Sequence, residues 1–421
     1  MQDRKRSVFK AAAVVAGNGI GSGVMAIPYY ISHAGIAGGV TAFAAAYLVS
    51  VLMHLMIAEM VLHTGDTADI LAVFNKYLFK GRKGKILRPA FFALLTIVLI
   101  ANLSAYISGA SEIFTGLLPI NPVIVKVVFF IFAASVVLAG LGAVCTGEAV
   151  SVSFMVVILV FMGIFSLLHI NSGVEIRILG SITGWMAAYG MIMFSFSAIF
   201  AVPQVVEYLG CVSFGAPEGP ADKGEETADA GRKEKTEDAD KKEEITDKGN
   251  GEAEIRKAIW LGLLINLVIS VTVTICTVIT SVEVTDIAIV GWAESVGGTI
   301  RILGSVFIVF AMITSFWSIG LASADIVAGQ TGLKRGLSFV IATVPALILT
   351  LTTGSSFTDY LKLVGGIVAM IISLMAVPSF LICMNDKTPV RIMRKDMKIK
   401  AVAGFVFVMY VIMAVGSCLN V

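Results

Sequence analysis

Eleven apolar runs, most of them at or above the twenty or so residues a helix needs to cross a bilayer core, account for most of this sequence. They lie at 8–31, 36–63, 87–116, 121–142, 147–170, 183–210, 257–281, 299–328, 336–354, 361–384 and 400–418. Charge is scarce and unevenly placed. Residues 213–256 alone hold 14 of the 29 acidic and 8 of the 31 basic side chains, which leaves about one charge in ten positions elsewhere. A soluble domain carries about 25% charged residues, so the apolar body cannot present a water-facing surface. The fold class expected is an all-α membrane protein of 11 transmembrane helices.

The chain divides into residues 1–212 with spans one to six, residues 213–256, and residues 257–421 with spans seven to eleven. The middle stretch is rich in Lys, Glu, Asp, Gly and Ala and almost free of bulky apolar residues. It is expected to be a disordered, solvated cytoplasmic loop, with regulation or partner docking as the other reading. Lys and Arg fall unequally on alternate loops. Eighteen lie on the N-terminal side, whereas Lys126, Arg177, Arg301 and Lys362 lie on the other. The positive-inside rule then puts the N-terminus in the cytoplasm and, for an odd number of spans, Val421 outside. The first apolar run is too long for a signal peptide and lacks a small-residue cleavage site, so it is read as a retained span. Short loops suggest a plasma membrane.

Several chemistries are excluded. The formal net charge of +2 is a basic body plus an acidic insert, which gives no nucleic-acid footprint. Cys145, Cys211, Cys276, Cys383 and Cys418 are far apart and form no CxxC pair, and the four histidines make no HExxH spacing. There is no GxSxG, P-loop or dinucleotide fingerprint, so no enzyme class is indicated. No cofactor is expected, and no obligate protein partner is evident.

Two spans carry breaks. Gly17, Gly19, Gly21 and Gly23 surround Asn18, Ile20 and Ser22 in span one, and each glycine weakens a helix by roughly 1 kcal/mol relative to alanine. Free backbone groups at membrane depth are tolerated only inside protein or against a polar cavity. The middle of span one is therefore expected to unwind. Amides near Ser22 would face an anion such as a carboxylate, and carbonyls from Gly17 to Ile20 would face a small cation. Close helix packing is the competing reading of the same glycines. Span six is also interrupted, where Phe194-Ser195-Phe196-Ser197-Ala198 runs into Pro203. Breaks in spans one and six occupy matching positions in two five-helix halves, the pattern of an inverted-repeat secondary transporter.

The motifs GIGSGVMAIPYYISHAG (Gly19–Gly35), IAEMVLHTG (Ile57–Gly65), AYISGASEI (Ala105–Ile113), FAVPQVVEYLG (Phe200–Gly210), TDIAIVGWAESVG (Thr285–Gly297) and TSFWSIGLASADI (Thr314–Ile326) follow one another in order. On them, the chain resembles permeases of the leucine-transporter fold in the amino acid–polyamine–organocation superfamily. Within these it is most similar to the hydroxy and aromatic amino acid permeases and the amino acid/auxin permeases. The resemblance implies two inverted five-helix repeats with an eleventh helix appended, discontinuous helices 1 and 6, and alternating access around a midplane site. It implies an importer of neutral, possibly aromatic, amino acids coupled to a cation gradient, a symporter in the lipid bilayer with a small-molecule amino acid as its partner. Substrate contacts are then expected from Asn18, Gly19, Gly21, Ser22, Gly23, Tyr106, Phe194, Ser195 and Ser197. The amides of Ser22 and Gly23 would hold the carboxylate, the carbonyls near Phe194 and Ser195 the amine, and Tyr106 would close over the substrate.

The same resemblance implies a sodium site from carbonyls of Gly17, Ile20 and Ala311 with the hydroxyls of Thr314 and Ser315. Those hydroxyls could instead bond back to their own helix. A second sodium site is not expected, since Val24 lacks a polar side chain. Proton coupling is the alternative, with His54 and Glu59 as the residues to consider. Glu112 is a further intramembrane candidate, and Glu59, Glu148, Glu207 and Asp325 are expected near cytoplasmic helix ends. A neutral His54 donating to a carbonyl is the other reading there. A non-transporting sensor or channel of the same fold is a further alternative.

Overall fold

In lipid a chain segment must satisfy its own backbone, so apolar runs of this length can only become helices. The computed structural model is all-helical in this way. It describes residues 2–21, 23–65, 69–171, 177–213, 237–281, 283–285, 288–355, 357, 360, 367–385, 389–393 and 398–419. The helices among these are α1 (Gln2–Ile20), α2 (Gly23–Thr64), α3 (Ile70–Tyr77), α4 (Gly81–Leu117), α5 (Pro122–Ala139), α6 (Leu141–Leu168) and α7 (Ile182–Ser195). They continue with α8 (Ala201–Ser213), α9 (Glu237–Thr280), α10 (Ala288–Val296), α11 (Gly298–Thr331), α12 (Arg335–Thr352), α13 (Ile367–Asn385) and α14 (Ile399–Gly416).

Among the described residues, eight helices are long and apolar enough to cross a membrane. Where they are described, the eleven runs read from the sequence fall mainly on helices, and the difference in number has a structural cause. The first and sixth runs are each cut in two: α1 opens on the charged stretch 3–6, the rest of the first run merges into α2, and α7 and α8 are short. The tenth run, 361–384, is described only from Ile367. The first run ends inside α2, at Gly35, whose φ of 73° is a left-handed conformation that glycine alone adopts freely. A Cβ at Gly35 would also lie 2.7 Å from the Gly180 amide nitrogen. Beyond the bend, the amides of Ile36 and Ala37 donate to the carbonyls of Arg177 and Ile178 at 3.0 and 3.1 Å. The loop before α7 thus caps the second half of α2.

Helices sort into inner and outer ones by burial. The most apolar stretch of α11 is 72% buried, whereas those of α5, α12 and α14 are only 28–33% buried. Residues Ala11 to Ala16 of α1 are wholly buried, so this helix is enclosed on all sides. The outer faces of α5 and α6 expose Val128, Ile131, Phe132, Val157, Val160 and Phe161. An exposed belt of this kind suits lipid and no aqueous surface.

One boundary needs correction. The charged stretch expected to be a disordered loop over 213–256 is helical from Glu237, because α9 begins there rather than at Lys257. Its membrane-proximal end is anchored. Arg391 Nε donates to Glu252 Oε1 at 2.7 Å, Arg4 pairs with Glu254, and Arg256 donates to the Ile392 carbonyl. These contacts hold the charged residues in place as a continuation of α9. Residues 214–236 lie outside the described residues.

Candidate substrate and cation site

The last four carbonyls of a helix have no partner inside it. At the end of α1 these belong to Gly17, Asn18, Gly19 and Ile20, all within the buried interior. Gly17 and Gly19 are therefore helical, and α1 ends at Ile20 while α2 begins at Gly23, so the helical part of the first span runs further than the four glycines suggested. Two hydroxyls of α11 meet the end of α1. Thr314 Oγ1 lies 3.2 Å from the Gly17 carbonyl oxygen and 3.0 Å from that of Ala311. Ser315 Oγ lies 3.1 Å from Gly17 O and 3.5 Å from Asn18 O. Two hydroxyls of α11 thus converge on the Gly17 carbonyl, each also within reach of a second carbonyl oxygen. Tyr106, buried on α4, lies within hydrogen-bonding reach of Ser315 and Asn102.

The second break, at 196–200, separates α7 from α8. Pro203 sits in the first turn of α8, where its missing N–H costs nothing, so it starts the new helix instead of interrupting the old one. The amides of Phe196 and Ser197 both turn back to the Phe194 carbonyl. The Ser195 carbonyl accepts from Asn266 Nδ2 at 2.8 Å, and Ser195 Oγ donates to Gly19 O at 3.3 Å. Inside the break, the Ala198 amide donates to His54 Nε2 at 3.1 Å. That leaves the ring proton on Nδ1, which lies 2.6 Å from the Ser50 carbonyl. His54 is thus the neutral tautomer bridging α2 to the break.

The two breaks touch. A Cβ on Gly23 would stand 2.9 Å from Ser195 Cβ, and one on Gly21 would stand 2.8 Å from Ser315 Oγ. A Cβ on Gly19 would overlap Asn266 Nδ2 and the Ser195 carbonyl, and one on Gly17 would overlap Glu148 Oε2. The glycines of α1 are there for close approach, the packing reading of the cluster. From Asn18 a polar column runs away from the breaks. Asn18 Nδ2 donates to Ser318 Oγ at 2.8 Å, Ser318 Oγ donates to Gln204 Oε1 at 3.2 Å, and Gln204 Nε2 donates to the Ser318 carbonyl at 2.7 Å. Gln204 also lines a cavity of about 230 Å³ bounded by Asp69, Glu207, Asp325 and Pro203.

The residues expected to form the site thus cluster, with particular exceptions. Ser22, expected to present its amide to a carboxylate, lies outside the described residues. Ser197 is half-buried within the break, and Ile20 closes α1. Glu59 lies elsewhere. Its carboxylate accepts from the amides of Arg391, Ile392 and Met393 at 2.7–3.0 Å, and His63 Nε2 is 3.1 Å away. Glu148, expected near a solvated helix end, is instead wholly buried beside Gly17, because α6 runs between α1 and α11. Asn266, Ser318 and Gln204 were not singled out from the sequence. Asn266 had a visible signal as an amide deep in the apolar run 257–281.

Comparison with known proteins bears on this arrangement. The family model of the tryptophan/tyrosine permease family matches residues 4–213, the part of the chain that holds both breaks. The chain is an amino acid permease of the leucine-transporter fold. Among solved structures, the permease is similar to Mhp1, a nucleobase-cation-symport-1 family transporter in a closed conformation with bromovinylhydantoin bound. The two share 15% identity and a TM-score of 0.60 over 97% of this chain and 90% of that one. No curated protein matches the sequence. The permease is a multi-pass membrane protein and a secondary transporter, and the families it resembles are transporters rather than enzymes.

Proposed function

We propose that the permease imports a neutral aromatic amino acid together with Na+ by alternating access around the paired helix breaks. The observation that carries this reading is the convergence of Thr314 and Ser315 hydroxyls on the orphan Gly17 carbonyl, beside a second break whose carbonyls end at Ser195. Neutral hydroxyl and carbonyl oxygens suit a hard monovalent cation. The carbonyls of Gly17, Ile20 and Ala311 with Thr314 and Ser315 would hold it. The substrate carboxylate would sit before α2, at the amides of Ser22 and Gly23, the end of a helix whose dipole favours an anion. Its amine would compete with Asn266 for the Ser195 carbonyl. Tyr106, hydrogen-bonded toward Ser315, would link substrate closure to the cation site.

In this reading the fold has eleven spans, with the first ten in two inverted repeats. It lies in the plasma membrane with the N-terminus cytoplasmic and the C-terminus outside. The aromatic substrate class follows from the family name, tryptophan/tyrosine permease. The structural relative belongs to a cation-symport family, which supports a coupled ion. Na+ is favoured over H+ on the neutral oxygens at Thr314 and Ser315, and the two residues first considered for proton coupling, His54 and Glu59, are engaged in holding structure. His54 uses both ring nitrogens on backbone groups, and Glu59 is tied to three amides.

The test is uptake into liposomes of labelled tryptophan and tyrosine under an inward Na+ gradient, then under an inward proton gradient. Na+-driven accumulation that Thr314→Ala reduces at least about tenfold is expected, since a lost ligand costs 1.4 kcal/mol or more. Accumulation driven by protons and indifferent to Na+ would overturn the ion, and no accumulation of either amino acid would overturn the substrate.

A further inference from the structure

Glu148 is wholly buried in the second turn of α6, and no described residue donates a hydrogen bond to either of its carboxylate oxygens. None of the ion pairs among the described residues includes it. A buried carboxylate without a partner is strongly unfavourable as an ion, so the group is neutral until a positive charge stands beside it. Its position says where that charge would be. On Gly17 a side chain would overlap Glu148 Oε2 on one flank and stand 3.0 Å from Thr314 Cβ on the other. The absent Cβ of Gly17 is therefore the gap through which the carboxylate approaches the end of α1. On α6 itself, the neighbouring Gly147 admits the Trp317 ring of α11 in the same way, since a Cβ there would lie 2.8 Å from that ring. Two glycines thus draw α1, α6 and α11 together around one point.

We propose that the Glu148 carboxylate is a direct ligand of the coupling cation. It adds one negative charge to the neutral oxygens of Gly17, Ala311, Thr314 and Ser315. This rests on the Na+ reading above and deepens it. A set of carbonyls and hydroxyls binds a monovalent cation as a buried net charge, whereas the same set with a carboxylate binds it as a neutral unit. The low polarity around the site makes that difference large. One cation satisfies both the free carboxylate and the carbonyls at the end of α1. A divalent ion would leave a net charge, so the site is matched to a monovalent one.

Binding of radiolabelled Na+ to the purified full-length chain tests this, with choline replacing Na+ to hold ionic strength. Glu148→Gln keeps the shape and removes the charge, and it should weaken Na+ binding about tenfold or more. Glu148→Asp, which keeps the charge on a shorter stem, should fall between. Thermal unfolding controls for folding. In choline, Glu148→Gln should unfold at the same temperature as the parent or higher, because an unpartnered carboxyl has gone. Added Na+ should raise the unfolding temperature of the parent and not of Glu148→Gln. Equal Na+ affinity in the parent and Glu148→Gln would overturn this ligand and leave the Na+ site of the preceding section standing. A parent that binds no Na+ would overturn both. A Glu148→Gln protein less stable than the parent in choline would also overturn it, by making the carboxyl a structural group.

Discussion

The glycines of α1 differ in what their missing side chains make room for, and that difference sets what alanine would do at each. At Gly17 the obstacle is the tip of the Glu148 side chain, which can swing. At Gly19 it is the Asn266 amide together with the Ser195 carbonyl, a backbone atom in a break held from several sides. Gly19→Ala should therefore destabilise the permease by about 1–3 kcal/mol, the usual penalty of overpacking, and should suppress uptake. Gly17→Ala should unfold at nearly the parental temperature while losing Na+-driven uptake. Thermal unfolding beside liposome uptake separates the two, and equal destabilisation by both would count against this division of roles. His54 permits a second prediction at the same scale. Replacing it with alanine removes the bond that ties α2 to the break, at about 0.5–1.5 kcal/mol, while the Ser50 carbonyl keeps its bond within α2 and the Ala198 amide its bond to the Phe196 carbonyl. Because the ring is already neutral and donates from Nδ1, substrate uptake by His54→Asn should fall in rate while keeping the parental pH profile. A shifted profile would restore His54 as a proton carrier.

At the scale of elements, the short helix α3 shows how a connection is held outside the membrane. Asp69 caps it, with Oδ1 accepting from the Ala72 amide at 2.9 Å, and Oδ2 faces Gly329 of α11. Burial raises the Asp69 carboxyl above the ordinary carboxylate value, against the amides of Ala72 and Leu71, which favour the ion. A raised value means that the folded chain holds the proton more tightly than the unfolded one. Stability from this group is then present at low pH and is lost as pH rises through the carboxylate range toward the folded value. Asp69→Asn keeps a capping oxygen and removes the charge, so it should match or exceed parental stability near neutral pH. Asp69→Ala loses the cap and should cost about 1 kcal/mol at any pH. Thermal unfolding across pH distinguishes this from a purely electrostatic Asp69, for which the two variants would behave alike.

Elements were also what the sequence displayed best, for a physical reason. Lipid forces apolar runs into helices, so the run 121–142 and α5 nearly coincide, as do 299–328 and α11. The break after Ile20 and the one at 196–200 were legible because glycine and proline act locally. The start of α9 was not, since a charged segment carries no apolar periodicity, and its contacts nearer the membrane, from Glu252 and Glu254, are with distant partners, Arg391 and Arg4. Glu148 was misplaced for a related reason. Position along a span gives depth only when the helix limits are known, and α6 begins six residues earlier than the run 147–170. Gln204 of α8 meets Ser318 of α11, and Asn266 of α9 meets Ser195 of α7, and adjacency of that kind has no trace in a single sequence.

At the scale of the whole molecule, polar contacts concentrate in two places that the lipid-facing helices enclose. One is the break site with its column through Ser318 to Gln204. The other is the knot where Glu59 of α2 takes the amides of Arg391, Ile392 and Met393, while Arg391 reaches Glu252 of α9 and the Leu62 carbonyl. This knot ties α2 and α9 to the chain between α13 and α14, so a carboxylate there serves assembly. Its role and a proton-carrying role predict different losses. If Glu59 holds the helices together, Glu59→Gln should lower the unfolding temperature, because one charged acceptor of three amides becomes a neutral one; hydrogen bonds to a charged group contribute about 1.5–3 kcal/mol each. The folded fraction should still accumulate substrate to the parental ratio under a Na+ gradient. If Glu59 carried the coupled proton, the same variant would exchange substrate across the membrane normally and fail to concentrate it. Accumulation ratio, measured against exchange in the same liposomes, therefore decides whether the most buried acidic contact on this face is a joint of the scaffold or a step in transport.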